Sequence, residues 1–253
     1  MSSLLIASIV FACLFGAALL GLFLRGLLPQ EHLSADSKDV VKLAMGLVAT
    51  MAALVLGLLT ASAKTSFDTQ NSEVQASAAH IIMLDRALAQ YGPESQNVRA
   101  LLRRAILFRL ALTWPEDSSH PEPLGSGETT PTVEAIQRGI RALAAQTDDQ
   151  RWAQSQALAV SGTLIETRWL MLAQASNPLP LPFLVVLIFW LALLFASFGL
   201  FAPRNATVVT ALMLCAMAVA GSTFLILEMS RPLEGLIKIS SVPLRYAVSQ
   251  LGQ

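Results

Sequence analysis

The chain has 253 residues, of which 54% are apolar and only 13% are charged, and its formal net charge is zero. Soluble domains carry about 25% charged residues, so this composition excludes an ordinary soluble protein and indicates an integral membrane protein. No basic excess points to a nucleic-acid partner. The two cysteines and three histidines show no metal-ligand spacing, so neither a metal nor a cofactor is predicted.

The first apolar run extends from Ser2 to Leu24 and ends at Arg25. It is longer than the apolar core of a signal peptide and has no basic segment before it. We therefore predict a first transmembrane helix at residues 2–24. Gly16 and Gly21 are expected to permit close packing of another helix against it.

The second apolar run, residues 40–63, carries no charge between Leu43 and Ala63. About 21 residues at 1.5 Å each give about 31 Å, which matches the hydrocarbon thickness of a bilayer. Spacings of three and four residues place small and polar side chains on one side of this helix, which we call the small face: Gly46, Thr50, Ala53, Gly57, Thr60 and Lys64. Such a face suits close helix packing in lipid. Around a symmetry axis it would instead line a narrow pore with a positive mouth at Lys64.

The region between the second and third spans, residues 64–177, contains no run long enough to cross a membrane. Its apolar residues recur at helical spacing, which predicts a soluble insert of four helices. The first of these is predicted at residues 69–91, with Asn71 or Ser72 as its cap, before a break at Gly92 and Pro93.

The second helix of the insert is predicted at residues 93–114 and carries a cluster of arginines: Arg99, Arg103, Arg104 and Arg109. Such a cluster is usually a solvated face or a contact with lipid headgroups; alternatively it forms a vestibule that attracts anions. A loop over 115–130, a short helix over 131–145 and a long helix beginning at Asp148 complete the insert.

Two further apolar runs predict a third span at residues 181–201 and a fourth at residues 206–227. The fold class is therefore all-α, with two hairpins of transmembrane helices, at residues 1–63 and 178–227, on either side of the insert. Both termini and the insert then lie on one side of the membrane. Basic residues near the span ends are divided almost evenly between the two sides, and the basic tail favours the cytoplasm for that side.

The tail, residues 228–253, is amphipathic and is predicted to lie on the membrane surface or against the insert. It begins with Arg231, Pro232 and Gly235, of which the proline and the glycine predict a defined bend where the chain leaves the bilayer.

Several phrases of the sequence resemble the bestrophin-like family of bacterial membrane proteins: GLLTASAK at 57–64, LDRALAQYGPE at 84–94, RPLEG at 231–235 and PLR at 243–245. The resemblance covers nearly the whole chain and implies the bacterial inner membrane. It also implies kinship with the bestrophins, which are pentameric anion channels with four spans per subunit. No functional residues carry over from this family, and the acids between Glu116 and Glu128 do not match a calcium-clasp sequence.

Two functions follow as hypotheses. The first is a homo-oligomeric, weakly anion-selective channel whose second span lines the axis, since the spans lack the ionisable residues of coupled transporters. The alternative is a membrane-anchored scaffold or sensor whose insert binds a protein partner. An enzyme is not expected, because Asp85, Glu166 and His80 are interpreted as isolated, solvated side chains.

Overall fold

The computed structural model describes residues 2–27, 35–115, 133–175, 181–232 and 235–252. These residues form two compact units and contain helices but no β-strand. Unit 1 comprises residues 1–67 and 178–237, and unit 2 comprises residues 68–177 and 238–253. Of the loop predicted at 115–130, residues 116–130 lie outside the described residues.

Unit 1 contains the apolar helices of the chain, which are α1 (Ser3–Leu24), the first part of α2 (Ala35–Tyr91), α6 (Leu181–Phe201) and α7 (Ala206–Met229). Within the described residues these four helices are long and apolar enough to cross a membrane. The prediction of an all-α protein with four membrane-spanning helices is therefore confirmed.

Unit 2 contains the remainder of α2, followed by α3 (Gln96–Thr113), α4 (Val133–Arg141), α5 (Asp148–Ala175) and α8 (Val242–Gln250). Helix α2 ends at Gly92, whose φ of 119° is readily adopted only by glycine. Pro93 then opens a single 3₁₀ turn that leads into α3. The break predicted at Gly92 and Pro93 is thus present.

Helix α2 is continuous for 57 residues, although the sequence predicted a new helix capped by Asn71 or Ser72. That prediction is wrong. A capping residue must leave helical geometry, but residues 64–74 contain neither glycine nor proline to break the helix. Continuing the helix keeps every backbone hydrogen bond of this polar stretch within the chain.

The second part of the C-terminal tail, residues 238–253, packs within unit 2. The indole Nε1 of Trp114 donates a hydrogen bond of 2.8 Å to the carbonyl of Ile239, and the backbone N–H of Gly252 donates one of 3.3 Å to Asp85. Ile239, Leu244 and Ala247 are buried. Of the two positions predicted for the tail, the structure therefore has the one against the soluble helices.

Two apolar cores hold unit 1 together, and both include α6 and α7. The first joins them to α1 through Val10, Leu14, Ala18, Phe195, Leu212 and Ala216. The second joins them to α2 through Ala52, Leu59, Ala63, Leu187, Leu194 and Ile226. Helices α6 and α7 thus provide the surface against which one side of α2 is fixed.

Helices α1 and α6 cross with their backbones in direct contact. A Cβ atom added to Gly21 would collide with the carbonyl oxygen of Ala196 and lie 2.9 Å from the backbone nitrogen of Leu200. A Cβ added to Gly199 would meet Ala18 and Leu22 in the same way. Close approach at Gly21 agrees with the sequence prediction.

The expected role of Gly16 in close packing, in contrast, is not borne out by the structure. A Cβ atom added there would have no heavy atom outside its own stretch of helix within 4 Å. Gly16 therefore offers a natural control for substitutions at Gly21.

An arginine of each membrane hairpin caps the end of a helix in the other. The guanidinium of Arg204 donates to the carbonyls of Leu22 at 2.9 Å and Phe23 at 3.3 Å, at the end of α1. Arg25, which follows α1, donates to the carbonyl of Ala202 at the end of α6. Cations are favourable at helix C-termini, where the last carbonyls have no partner in the helix. These caps fix the ends of α1 and α6 to each other.

Candidate functional site

Every residue of the small face is exposed on the surface of the protomer. A Cβ atom added to Gly46 or to Gly57 would have no heavy atom of another element within 4 Å. Within the part of the chain that the structure describes, no other helix packs against these two glycines. In the protomer, close helix packing is made at Gly21 and Gly199, and packing of the small face against another helix stays an alternative prediction.

The other sides of the membrane-spanning part of α2 differ in composition. One side packs on α6 and α7 through Ala52, Leu59 and Ala63, with Val48 and Leu56 beside them. A further side, which we call the leucine face, is exposed and consists of Leu43, Leu47, Met51, Leu54 and Leu58. At about 100° per residue, the small face lies between the packed side and the leucine face.

The polar groups of the small face are the hydroxyls of Thr50 and Thr60 and the ammonium of Lys64. Each hydroxyl donates to a carbonyl one turn earlier in its own helix, Thr50 to Gly46 at 2.9 Å and Thr60 to Leu56 at 2.8 Å. The backbone thus takes the hydroxyl protons, and the side chains turn their methyl groups and oxygen lone pairs outward. Lys64 lies 5.8 Å from the centre of the Phe67 ring, a cation–π distance.

The small face has a second cation at its other end. Lys42 precedes Gly46 by one helical turn and therefore extends the same face. Its ammonium lies 3.5 Å from the carboxylate of Asp39, and both side chains are exposed. The uncharged part of the face is therefore bounded by a lysine at each end.

The structure does not bring the four arginines of α3 into one vestibule. Arg99 donates two hydrogen bonds of 2.7 Å to Asp85, one to each carboxylate oxygen. The hydrogen bonds that Arg99 donates to Asp85 raise the pKa of Arg99, against the opposing effect of burial, and the charge of Asp85 adds to the increase. Within the protomer the charge of Arg99 is thus paired with that of Asp85, and the assignment of the four arginines to an anion vestibule stays a prediction.

The remaining arginines of the cluster are exposed and point in different directions. Arg103 projects from nearly the same side of α3 as Arg99. Arg104 and Arg109, in contrast, are separated from each other by about 140° around the helix. These side chains belong to different surfaces of unit 2. A shared anion site would need them to converge.

The interpretation of Asp85 as a solvated side chain is wrong, since only 2% of its surface is exposed. Its carboxylate accepts hydrogen bonds from Arg99 and from the backbone of Gly252. The sequence contained the signal: Ile81, Leu84, Asp85 and Leu88 share one helical face, which places the acid on the apolar side. Only the tight turn at Gly92 brings Arg99 opposite to it.

The other two residues considered for catalysis differ from Asp85. Glu166 is exposed on α5, as expected of a solvated acid. His80 is half-buried, and within the described residues its Nδ1 is buried without a hydrogen-bond partner. These three residues have different surroundings. Asp85 is bound by Arg99 and by the backbone of Gly252, and this pairing holds unit 2 together.

Comparison with known proteins adds one finding to this geometry. A family model for the bestrophin-like domain matches residues 12–244, from within α1 to within α8. The chain belongs to the bestrophin-like family. No curated protein and no solved structure matches the chain.

Membership agrees with the four-span architecture and makes this a membrane protein on two independent grounds. The bestrophins from which the family takes its name are anion channels.

The bestrophin-like chain leaves α7 through a bend whose geometry is set by Glu228. This carboxylate, buried in the last turn of α7, accepts hydrogen bonds from the backbone N–H groups of Leu236 at 2.6 Å and Ile237 at 3.3 Å. The side chain of Ser3 is also hydrogen-bonded to it. Gly235 has a φ of 92°, and a Cβ atom there would lie 3.0 Å from the Glu228 carboxyl carbon.

We expect Gly235→Ala to destabilise the protein by more than Gly252→Ala. Both glycines have positive φ, at 92° and 90°, so alanine is strained at either position by about 1–2 kcal/mol. Only at Gly235 would the new methyl group also displace the Glu228 carboxylate. Thermal unfolding of the two purified variants in one detergent checks this, and equal losses would show that Glu228 does not fix the bend.

Proposed function

We propose that this bestrophin-like protein is a homo-oligomeric anion channel and that the small face of α2 lines its axis. The observation that carries the proposal is the exposure of the small face, from Gly46 to Lys64, on a helix whose neighbouring side is packed on α6 and α7. Small residues at an axis leave room for a path, and threonine oxygens supply polar contacts along it. A pore of this kind needs no ionisable residue at membrane depth.

The leucine face supports assembly from several copies. When the small face is turned to a shared axis, one flank of α2 is already covered by α6 and α7 of the same chain. The other flank, with Leu47, Leu54 and Leu58, then meets the next copy around the ring. Repeating this head-to-tail contact closes a ring when the rotation per subunit divides a full turn. The bestrophin family suggests five copies.

Selectivity for anions is assigned to the lysines at the ends of the small face. Lys64 is exposed at one end, and Lys42 is exposed at the other, where Asp39 partly offsets its charge. In a ring each lysine is repeated once per subunit, and such a ring of positive charge favours anions. Weak rather than strong selectivity is expected, because these exposed charges are screened by salt.

Charge reversal at Lys64 tests the proposal. In a planar bilayer with a KCl gradient, the reversal potential of the native protein is expected between zero and the equilibrium potential of chloride. Lys64→Glu should move it towards the equilibrium potential of potassium. Arg151→Glu makes the same change of charge on an exposed residue of α5 and leaves the reversal potential unchanged. Protein that never conducts, or two variants with the same selectivity as the native chain, would contradict the proposal.

We further propose that the protein resides in the bacterial inner membrane with unit 2 and both termini in the cytoplasm. The basic tail supports this orientation, and a reporter that is active only in the periplasm should stay inactive when fused after Gln253. We also propose that the protein has no catalytic activity. The engagement of Asp85 by Arg99 and Gly252 supports this, since it removes the most buried candidate acid from any reaction.

A further inference from the structure

The C-terminal end of α3 lies beside the two segments of unit 2 that are nearest in sequence to the membrane spans. Trp114 donates its indole hydrogen bond to Ile239, which follows the end of α7 at Met229 by ten residues. Arg109 donates to the sulfur of Met171 at 3.6 Å, and Met171 precedes the start of α6 at Leu181 by ten residues. This end of α3 therefore contacts two stretches of unit 2 that lie within ten residues of a membrane helix along the chain.

A second arginine of this end is Arg168, which lies one turn before Met171 on α5 and therefore on the side of that helix that Arg109 contacts. The pKa of Arg109 is lowered, mainly by burial of its guanidinium among protein atoms and also by the positive charge of Arg168. Much of the side chain nevertheless reaches the surface. Within the described residues its hydrogen-bond acceptor is the thioether of Met171, which is a weak one. Arg168 lies 3.9 Å from Glu134, a loose contact between two side chains that are each about half exposed.

Large apolar side chains are exposed on the same turns of α3 and α5 as these arginines. Leu112, one turn after Arg109, is 73% exposed, and Trp169, next to Arg168, is 62% exposed. Leu170 on the same turn of α5 is also exposed. Tryptophan and leucine beside arginine are typical of protein surfaces that lie at the headgroup level of a bilayer, where apolar and charged groups are both solvated.

We propose that this end of unit 2 lies in the headgroup layer and that Arg109 and Arg168 together bind the phosphate of an anionic phospholipid. A phosphate between them accepts charge-assisted hydrogen bonds from both guanidinium groups and relieves the repulsion between two like charges. Trp169 and Leu112 then contact the glycerol and the first methylenes of the lipid. Basic pockets beside transmembrane helices are a recurrent form of lipid recognition. The lipid site does not depend on conduction by α2.

The test is lipid binding to the purified full-length protein in detergent, measured by native mass spectrometry. Short-chain phosphatidylglycerol and phosphatidylcholine with the same acyl chains are titrated separately. The native protein should bind phosphatidylglycerol roughly tenfold more tightly, and Arg109→Gln should remove most of that preference. Arg103→Gln, an exposed arginine on the same helix, is the matched control and should leave it unchanged.

A second variant separates lipid binding from a folding defect, and two other outcomes would overturn the proposal. Arg109→Lys keeps the charge and should retain part of the preference, which separates lipid binding from a folding defect detected by size-exclusion chromatography. Inorganic phosphate that displaces the lipid at millimolar concentration would overturn the proposal in favour of a soluble-anion site. The proposal also fails if Arg109→Gln changes the subunit number without changing the lipid preference, since the surface would then be a contact between copies.

Discussion

Replacing Gly21 by alanine is expected to destabilise the protein, whereas the same change at Gly16 should leave it unchanged or slightly more stable. At Gly21 the added methyl group would occupy the space of the Ala196 carbonyl in α6, so the helices must separate. Inserting one carbon into such a packed contact costs about 1–3 kcal/mol. At Gly16 no described residue of another helix lies within 4 Å of the added methyl group, and alanine is the better helix former by about 1 kcal/mol.

The reciprocal contact at Gly199 allows the explanation to be checked twice. Gly199→Ala should reproduce the loss seen at Gly21, because its methyl group meets the backbone of α1 in the same manner. Leucine at either position should prevent recovery of folded protein. The measurement is the midpoint of thermal unfolding in detergent for each alanine variant. Equal midpoints for the Gly16 and Gly21 variants would show that α1 and α6 do not cross with their backbones in contact.

The second large effect is expected from Asp85→Ala, which should destabilise unit 2 by about 3–5 kcal/mol. The variant leaves Arg99, whose side chain is only 19% exposed, without its carboxylate, and it also removes an acceptor from the C-terminal backbone at Gly252. Hydrogen exchange of the full-length protein should show α3 and α8 losing protection together. The exchange of α1 and α6 serves as an internal reference.

A double replacement and an exposed pair serve as controls for Asp85. Changing Asp85 to leucine and Arg99 to methionine together should cost much less than Asp85→Ala, because no unpaired charge remains buried. Asp148→Asn breaks the ion pair between Asp148 and Arg151, whose side chains are both largely exposed, and should have little effect. Faster exchange in α3 but not in α8 would contradict a role for Asp85 in holding the C-terminal tail.

The positions of the membrane helices could be predicted from the sequence because each span is an apolar run of sufficient length. Residues 2–24 were predicted for the first span and the helix is Ser3–Leu24. The last span was predicted at 206–227 and the helix is Ala206–Met229. Here hydropathy and length decide the outcome locally, so no knowledge of neighbouring helices is needed.

Features that depend on a partner far away in sequence could not be predicted. Gly16 and Gly21 look alike in a helix of small and apolar residues, and only the position of α6 distinguishes them. Asp85 looked isolated because its partner is on the next helix. The small face was recognised from its spacing, but its exposure follows from α6 and α7 covering another side of α2.

Access of water to the small face tests the channel proposal most directly. The native cysteines, Cys13 and Cys215, are exposed and would be replaced by alanine before single cysteines are introduced at Thr50, Thr60, Leu54 and Leu58. In reconstituted protein that conducts anions, a charged thiosulfonate added from the aqueous phase should reduce the current through the Thr50 and Thr60 variants and leave the leucine-face variants unaffected. Current loss in the Leu54 and Leu58 variants, with Thr50 and Thr60 unreactive, would place the small face away from the conduction path and contradict the account.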